Sequence, residues 1–143
     1  MDAAAWHVMR WGGIQEQENY PYTGNPGICN TAQYTGAANV RVKAVHNTTR
    51  RSEMQLLAAI SRGPVAVAVD LSSAAFMQYG SGIISSASCG TAVAHAVTAV
   101  GYGTDYLTGQ KYYKVRNSWG SAWGENGYVR ILRNGDGDGI CGI

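Results

Sequence analysis

The chain has 143 residues, 45% hydrophobic and 14% charged, with a net charge of +2, which bounds it to one domain or a piece of one and excludes a disordered tail. No apolar run approaches the ~18 residues of a membrane span. The tightest basic cluster is Arg50-Arg51, with Arg41 and Lys43 a few residues earlier, so the basic stripe of a nucleic-acid binder is missing.

Residues 2–10 favour a helix, with Asp2 charging its start and Gly12-Gly13 stopping it. With Met1 followed by Asp2 and a helix-like segment, no signal peptide is expected in these residues. Residues 16–27, with Pro21 and Pro26, carry loop chemistry. Asn47-Thr48-Thr49 is a glycosylation sequon. Ser52 to Gln55 forms a capping box, S-x-x-Q, ahead of an apolar face of Leu56, Leu57 and Ile60, and Gly63-Pro64 ends that helix. The period then changes to two: Val65, Val67 and Val69 alternate with alanines in a buried strand. A short helix is expected over 73–79, and strands over 95–102, 111–116 and 127–133. Helix first and then a mostly antiparallel sheet makes the fold class α+β.

Three cysteines, Cys29, Cys89 and Cys141, leave one unmatched, and none forms a C-x-x-C motif that would suggest zinc or thioredoxin chemistry. One pair and a leftover suit an oxidising compartment if the third finds its partner elsewhere. Asn134-Gly135-Asp136-Gly137-Asp138-Gly139 imitates the start of an EF-hand loop whose twelfth position would fall beyond Ile143, and a glycine-rich surface turn is the expected reading. Gly101-Tyr102-Gly103 is a strand end without the helix a nucleotide fingerprint needs. His7 and His46 read as surface residues.

Two segments carry more. One is C-G-x-x-x-x-H-A-V from Cys89 to Val97; the other is N-S-W-G-x-x-W-G-E-N-G-Y from Asn117 to Tyr128. Together with Gly13-Ile14, Tyr20-Pro21-Tyr22 and the closing Gly139-Ile140-Cys141-Gly142, they make the chain resemble the papain-like cysteine peptidases, the family of papain and the cathepsins. The resemblance implies a thiol protease site. His95 would be general base and acid, and Asn117 would orient its ring. Trp119 would cover that contact and Trp123 would line the leaving-group side, although both could be plain core aromatics at i and i+4. Ala68, Val93 and Ala96 would wall an apolar pocket for the substrate's second residue upstream of the cut. Ala94 stands where the family commonly has Asp or Asn, which changes the local field at the ring. Cys89 and Cys141 would form a disulfide worth roughly 3–4 kcal/mol in the chain-entropy model, and Cys29 would match a half-cystine paired outside this chain.

The family's nucleophile lies in a C-G-[SA]-C-[WY] signature, with its histidine roughly 130–150 residues downstream. Only 94 residues precede His95, and the neighbours of Cys29 do not fit the signature. The resemblance therefore implies the C-terminal two-thirds of the family's fold. Residues 1–35 would be a remnant of the helical left domain, and 36–143 the barrel-like right domain carrying the histidine and asparagine. The expected activity is peptide-bond hydrolysis without metal or organic cofactor, dormant until a cysteine-bearing segment or second chain is supplied. The alternative is a non-catalytic binding or scaffold protein on the same fold. Expected partners are a peptide or protein substrate and that complementary segment, with no nucleic acid and no membrane, in a secreted, lysosomal or vacuolar setting. A cleft face stripped of its partner also leads us to expect poor solubility of the chain alone.

Overall fold

The computed structural model describes residues 1–30, 40–86 and 89–143. They divide into two compact units, 1–47 and 48–143. The expected domain boundary at 35–36 lies outside the described residues.

In the first unit, helix α1 spans Asp2–Arg10, with Asp2 in its first turn and His7 and Arg10 in its last, as the helix dipole favours. Its end is a Schellman turn: Gly12 takes φ +88° and the Gly13 amide donates to the Val8 carbonyl at 2.9 Å. Ile14 and Val40 form an isolated antiparallel bridge. Cys29 is a free, exposed thiol.

The second unit holds the core. Helix α2 covers Glu53–Ile60, and Ser52 caps it by accepting from the Gln55 amide. The capping box is only half closed, because the Gln55 side chain accepts from the Thr49 amide at 2.8 Å rather than turning to Ser52. Strand β1 is Val65–Val69, helix α3 Ala74–Met77, β2 Ile83–Ile84, β3 His95–Thr104, β4 Lys111–Arg116 and β5 Tyr128–Leu132. The sheet order is β1-β3-β4-β5-β2, antiparallel except for the parallel β2–β5 pair. Helix α3 is shorter than the expected 73–79, and β2 was not anticipated.

Alternation along each strand buries one face: Val67 and Val69, Val97 and Ala99, Tyr113 and Val115, Val129 and Ile131. The residues between them, such as Ala96, Lys114 and Arg116, are exposed. Phe76 of α3 is completely buried in the same core. A disulfide joins Cys89 to Cys141, with Cα atoms 4.7 Å apart and both side chains inaccessible. The glycine-rich turn spends its acids on the protein itself. Asp136 accepts from the Glu53 amide at the start of α2 at 2.7 Å, and Asp138 pairs with Arg51 at 2.6 Å. Among the described residues no cluster of His, Cys, Asp or Glu is arranged to hold a metal ion, and no helix is long and apolar enough to cross a membrane.

Candidate active site

His95 opens β3 and Asn117 follows the last residue of β4, and strand parity puts both on the buried side of the sheet. Thr98 pairs with Arg116 and Ala99 with Val115. Continued toward the strand ends, that antiparallel register sets Val97 opposite Asn117 and His95 opposite Trp119. His95 and Asn117 are then diagonal neighbours on one face, a separation that long side chains bridge. The His95 Nε2 lies 2.9 Å from Asn117 Oδ1.

The direction of this hydrogen bond follows from a second donor. The Ser118 amide also donates to Asn117 Oδ1, at 2.7 Å. An atom that receives a backbone N–H is the amide oxygen, so it can only accept from the ring as well. His95 Nε2 therefore carries its proton, and Nδ1 is left as the ring atom able to take a proton from another group. Asn117 is 7% exposed, and its Nδ2 is buried without a hydrogen-bond partner. An unmatched buried donor costs about 1–3 kcal/mol.

Above this pair the Trp119 indole sits 5.4 Å from the His95 ring, centroid to centroid, at 32°. Trp119 meets Trp123 in a T-shaped arrangement at 5.3 Å, and Phe76 makes T-shaped contacts with His95 at 6.4 Å and with Trp119 at 6.0 Å. Trp123 packs on Phe76 and Tyr79, and its indole N–H donates to the Met77 carbonyl at 3.2 Å. Trp119 is 39% exposed, whereas Trp123 is half-buried and packs against the hydrophobic core. They form a partly open aromatic wall beside the imidazole–amide contact.

The approach to His95 is tied down from below. Asp70, at the end of β1, is buried and accepts from the Ser72 amide at 2.6 Å and the Ala92 amide at 2.7 Å. Hydrogen bonds from the Ser72 side chain and amide, and from Ala92, hold its carboxyl below the usual carboxylate range. Its own amide donates to the Cys141 carbonyl at 2.8 Å, and the Ala94 amide donates to the Val69 carbonyl at 3.1 Å. Gly90 takes φ +76°, and a Cβ there would collide with the Asp70 carboxylate.

Of the expected pocket residues, Ala68 and Ala96 are direct cross-strand partners. Ala96 is exposed and Ala68 half-buried. Val93 is 46% exposed and lies against Gly142, whose added Cβ would come 2.5 Å from Val93 Cγ1. Ala94 is exposed. Sequence reasoning missed Phe76 and Asp70. The signals were an only phenylalanine among many tyrosines, and an acid directly after an apolar strand.

A model of the papain family cysteine proteases matches residues 1–143. Cysteine protease 1 of Oryza sativa subsp. japonica is 43% identical over the whole chain, which spans 29% of that relative. Among solved structures, the bromelain protease of Ananas comosus in complex with the E64 inhibitor superposes with a TM-score of 0.84 at 38% identity. That match takes in 98% of this chain and 63% of bromelain. The proform of the ragweed pollen allergen Amb a 11, a cysteine protease, gives 0.89 at 34% identity over 100% of this chain and 38% of its own. This chain belongs to the papain family of cysteine proteases, and its α+β fold is papain-like. It spans 29–43% of the length of the curated relatives it matches and 63% of the bromelain chain.

Proposed function

We propose that this chain supplies the imidazole side of a thiol endopeptidase, completed by a cysteine-bearing segment outside these 143 residues. The observation that carries the reading is the 2.9 Å contact between His95 Nε2 and Asn117 Oδ1 beneath the Trp119 indole. With Nε2 anchored, Nδ1 would take the proton of the cysteine thiol, leaving a thiolate beside an imidazolium. The thiolate would attack the scissile carbonyl carbon. As the C–N bond breaks, His95 would return the proton to the departing amine. The same nitrogen would then activate the water that releases the acyl group from sulfur.

A neutral amide suits Asn117's role, since it fixes the tautomer without adding negative charge. Trp123 would border the leaving-group side, and Ala68, Val93 and Ala96 would favour an apolar side chain at the second residue before the cut. Residues 36–143 would form the unit bearing the catalytic pair and 1–35 the remnant of the other. The substrate would be a peptide or protein, and the buried disulfide favours a secreted, lysosomal or vacuolar setting.

The test is to provide the family's cysteine-bearing segment, joined to the chain or as a second chain, and to assay a peptide with an apolar second residue. Hydrolysis that disappears in His95→Ala is the expected result. No hydrolysis by a folded complex, or activity indifferent to His95→Ala, would overturn the reading in favour of a non-catalytic binding role.

A further inference from the structure

The segment between β4 and β5 that carries Trp119 and Trp123 turns sharply. Gly120, Gly124, Asn126 and Gly127 all take positive φ, of +84°, +55°, +55° and +87°. Asn126 does so with a side chain, which costs backbone strain. Within the loop, the Gly127 amide donates to the Trp123 carbonyl at 2.7 Å, and the Asn117 amide to the Gly127 carbonyl at 2.9 Å. These close its base. Nearer the tip, Glu125 and Tyr128 exchange amide–carbonyl bonds at 2.9 and 3.1 Å, and side-chain contacts from outside the loop add to these.

Glu125 ties the loop to its surroundings. Arg130 of β5 donates from Nε to both Glu125 oxygens, at 3.1 and 3.0 Å, and from Nη2 to Oε1 at 2.7 Å. Its Nη1 reaches Asp105, on the turn between β3 and β4, at 3.2 Å. Glu125 Oε1 also accepts from the Gly82 amide at 3.0 Å, and the Tyr79 hydroxyl donates to the Gly82 carbonyl at 2.6 Å. Tyr79 packs on Trp123, Trp123 on Trp119, and Trp119 on His95, at 5.7, 5.3 and 5.4 Å between centroids. The three charged side chains are only 21–27% exposed, so water screens the pairing little.

We propose that Arg130 is a positioning residue: through its fork on Glu125 it fixes the loop between β4 and β5 and thereby holds the Trp119 indole over the His95–Asn117 pair. This deepens the protease reading and rests on it. The planar guanidinium is needed because it engages Glu125 and Asp105 at once, which an ammonium cannot do in the same geometry.

The test follows the His95 Nε2–H proton and its NOE to the Trp119 indole by NMR in the 143-residue chain, or in the chain joined to a cysteine-bearing segment if it needs one to stay in solution. Arg130→Met and Glu125→Gln are expected to weaken that NOE and to speed exchange of the Nε2–H by about tenfold, as the cover opens locally. Arg130→Lys should fall between them and the parent. Should Arg130→Met fail to fold, the two milder variants carry the same reading. Arg133→Met serves as the control. It removes the Arg133–Glu53 pair at 2.9 Å, which is more buried still at 12% and 19% exposure, and should leave both signals unchanged.

Parent-like signals in Arg130→Met and Glu125→Gln would overturn the proposal, as would an equal change in Arg133→Met. The protease reading fails separately, by absent hydrolysis in a parent protein whose Nε2–H signal is intact.

Discussion

On the proposed reading, Asn117 orients the His95 ring at some expense of stability. Its Oδ1 receives two donors while its Nδ2 is buried with none, so truncation removes a penalty together with two hydrogen bonds. We expect Asn117→Ala to move the melting temperature little. Hydrolysis by the complemented enzyme should drop about 10²-fold, because the imidazole loses its anchor. A melting temperature that collapses in step with activity would show a structural role instead. Phe76 works in the opposite sense. It is completely buried and touches His95, Trp119 and Trp123. Phe76→Ala should cost about 3–5 kcal/mol of stability, measurable by urea unfolding, and should disturb the aromatic near-UV signal.

Among the elements, the strands were legible where their period was long enough to declare a face. The five residues Val65–Val69 announce a one-sided strand, and the observed strand has those bounds. Strand β2 was not legible, since Ile83 and Ile84 become a strand only by pairing with Arg130 and Ile131, far along the chain. The capping box was read correctly at Ser52, whereas the Gln55 side chain found a nearer use at Thr49, a competition that local spacing cannot decide. The motif residues were visible as letters, but the diagonal that joins His95 to Asn117 depends on the β3–β4 register, which shifts between Ala99 and Gly101. Gly124 shows how tightly the motif loop is built. An added Cβ would lie 2.6 Å from the Tyr128 carbonyl oxygen and 2.9 Å from the Tyr79 ring, at φ +55°. Gly124→Ala should therefore destabilise by more than ~1 kcal/mol. A thermal melt matching the parent's would contradict that.

For the molecule as a whole, three partnered acids set the acid limit of stability. Hydrogen bonds from Ser72 hold Asp70 low, and those from Thr108 hold Asp105 low. For Glu125, burial acts upward but is outweighed by Arg130 and the Gly82 amide. Each acid is more easily ionised in the fold than in the unfolded chain. Its contribution is therefore fully present above its unfolded value of about 4 and lost as pH falls through the folded value. Burial pushes the Tyr113 phenol up to about 12, so its contribution holds below about 10 and is lost as pH climbs toward that value. Melting temperature against pH should show a plateau between these limits, and a decline beginning near pH 6 would contradict the assignment. Reducing the Cys89–Cys141 bond reopens a loop of 52 residues and should cost roughly 3–4 kcal/mol.

The proposed thiolate–imidazolium pair is tested by the alkylation rate of the nucleophilic thiol against pH, in the chain joined to a cysteine-bearing segment. We predict reactivity that persists well below the ordinary thiol value of about 8.5 and retreats toward it in His95→Ala. A parent profile that already rises only near 8.5, indistinguishable from the variant, would contradict the account.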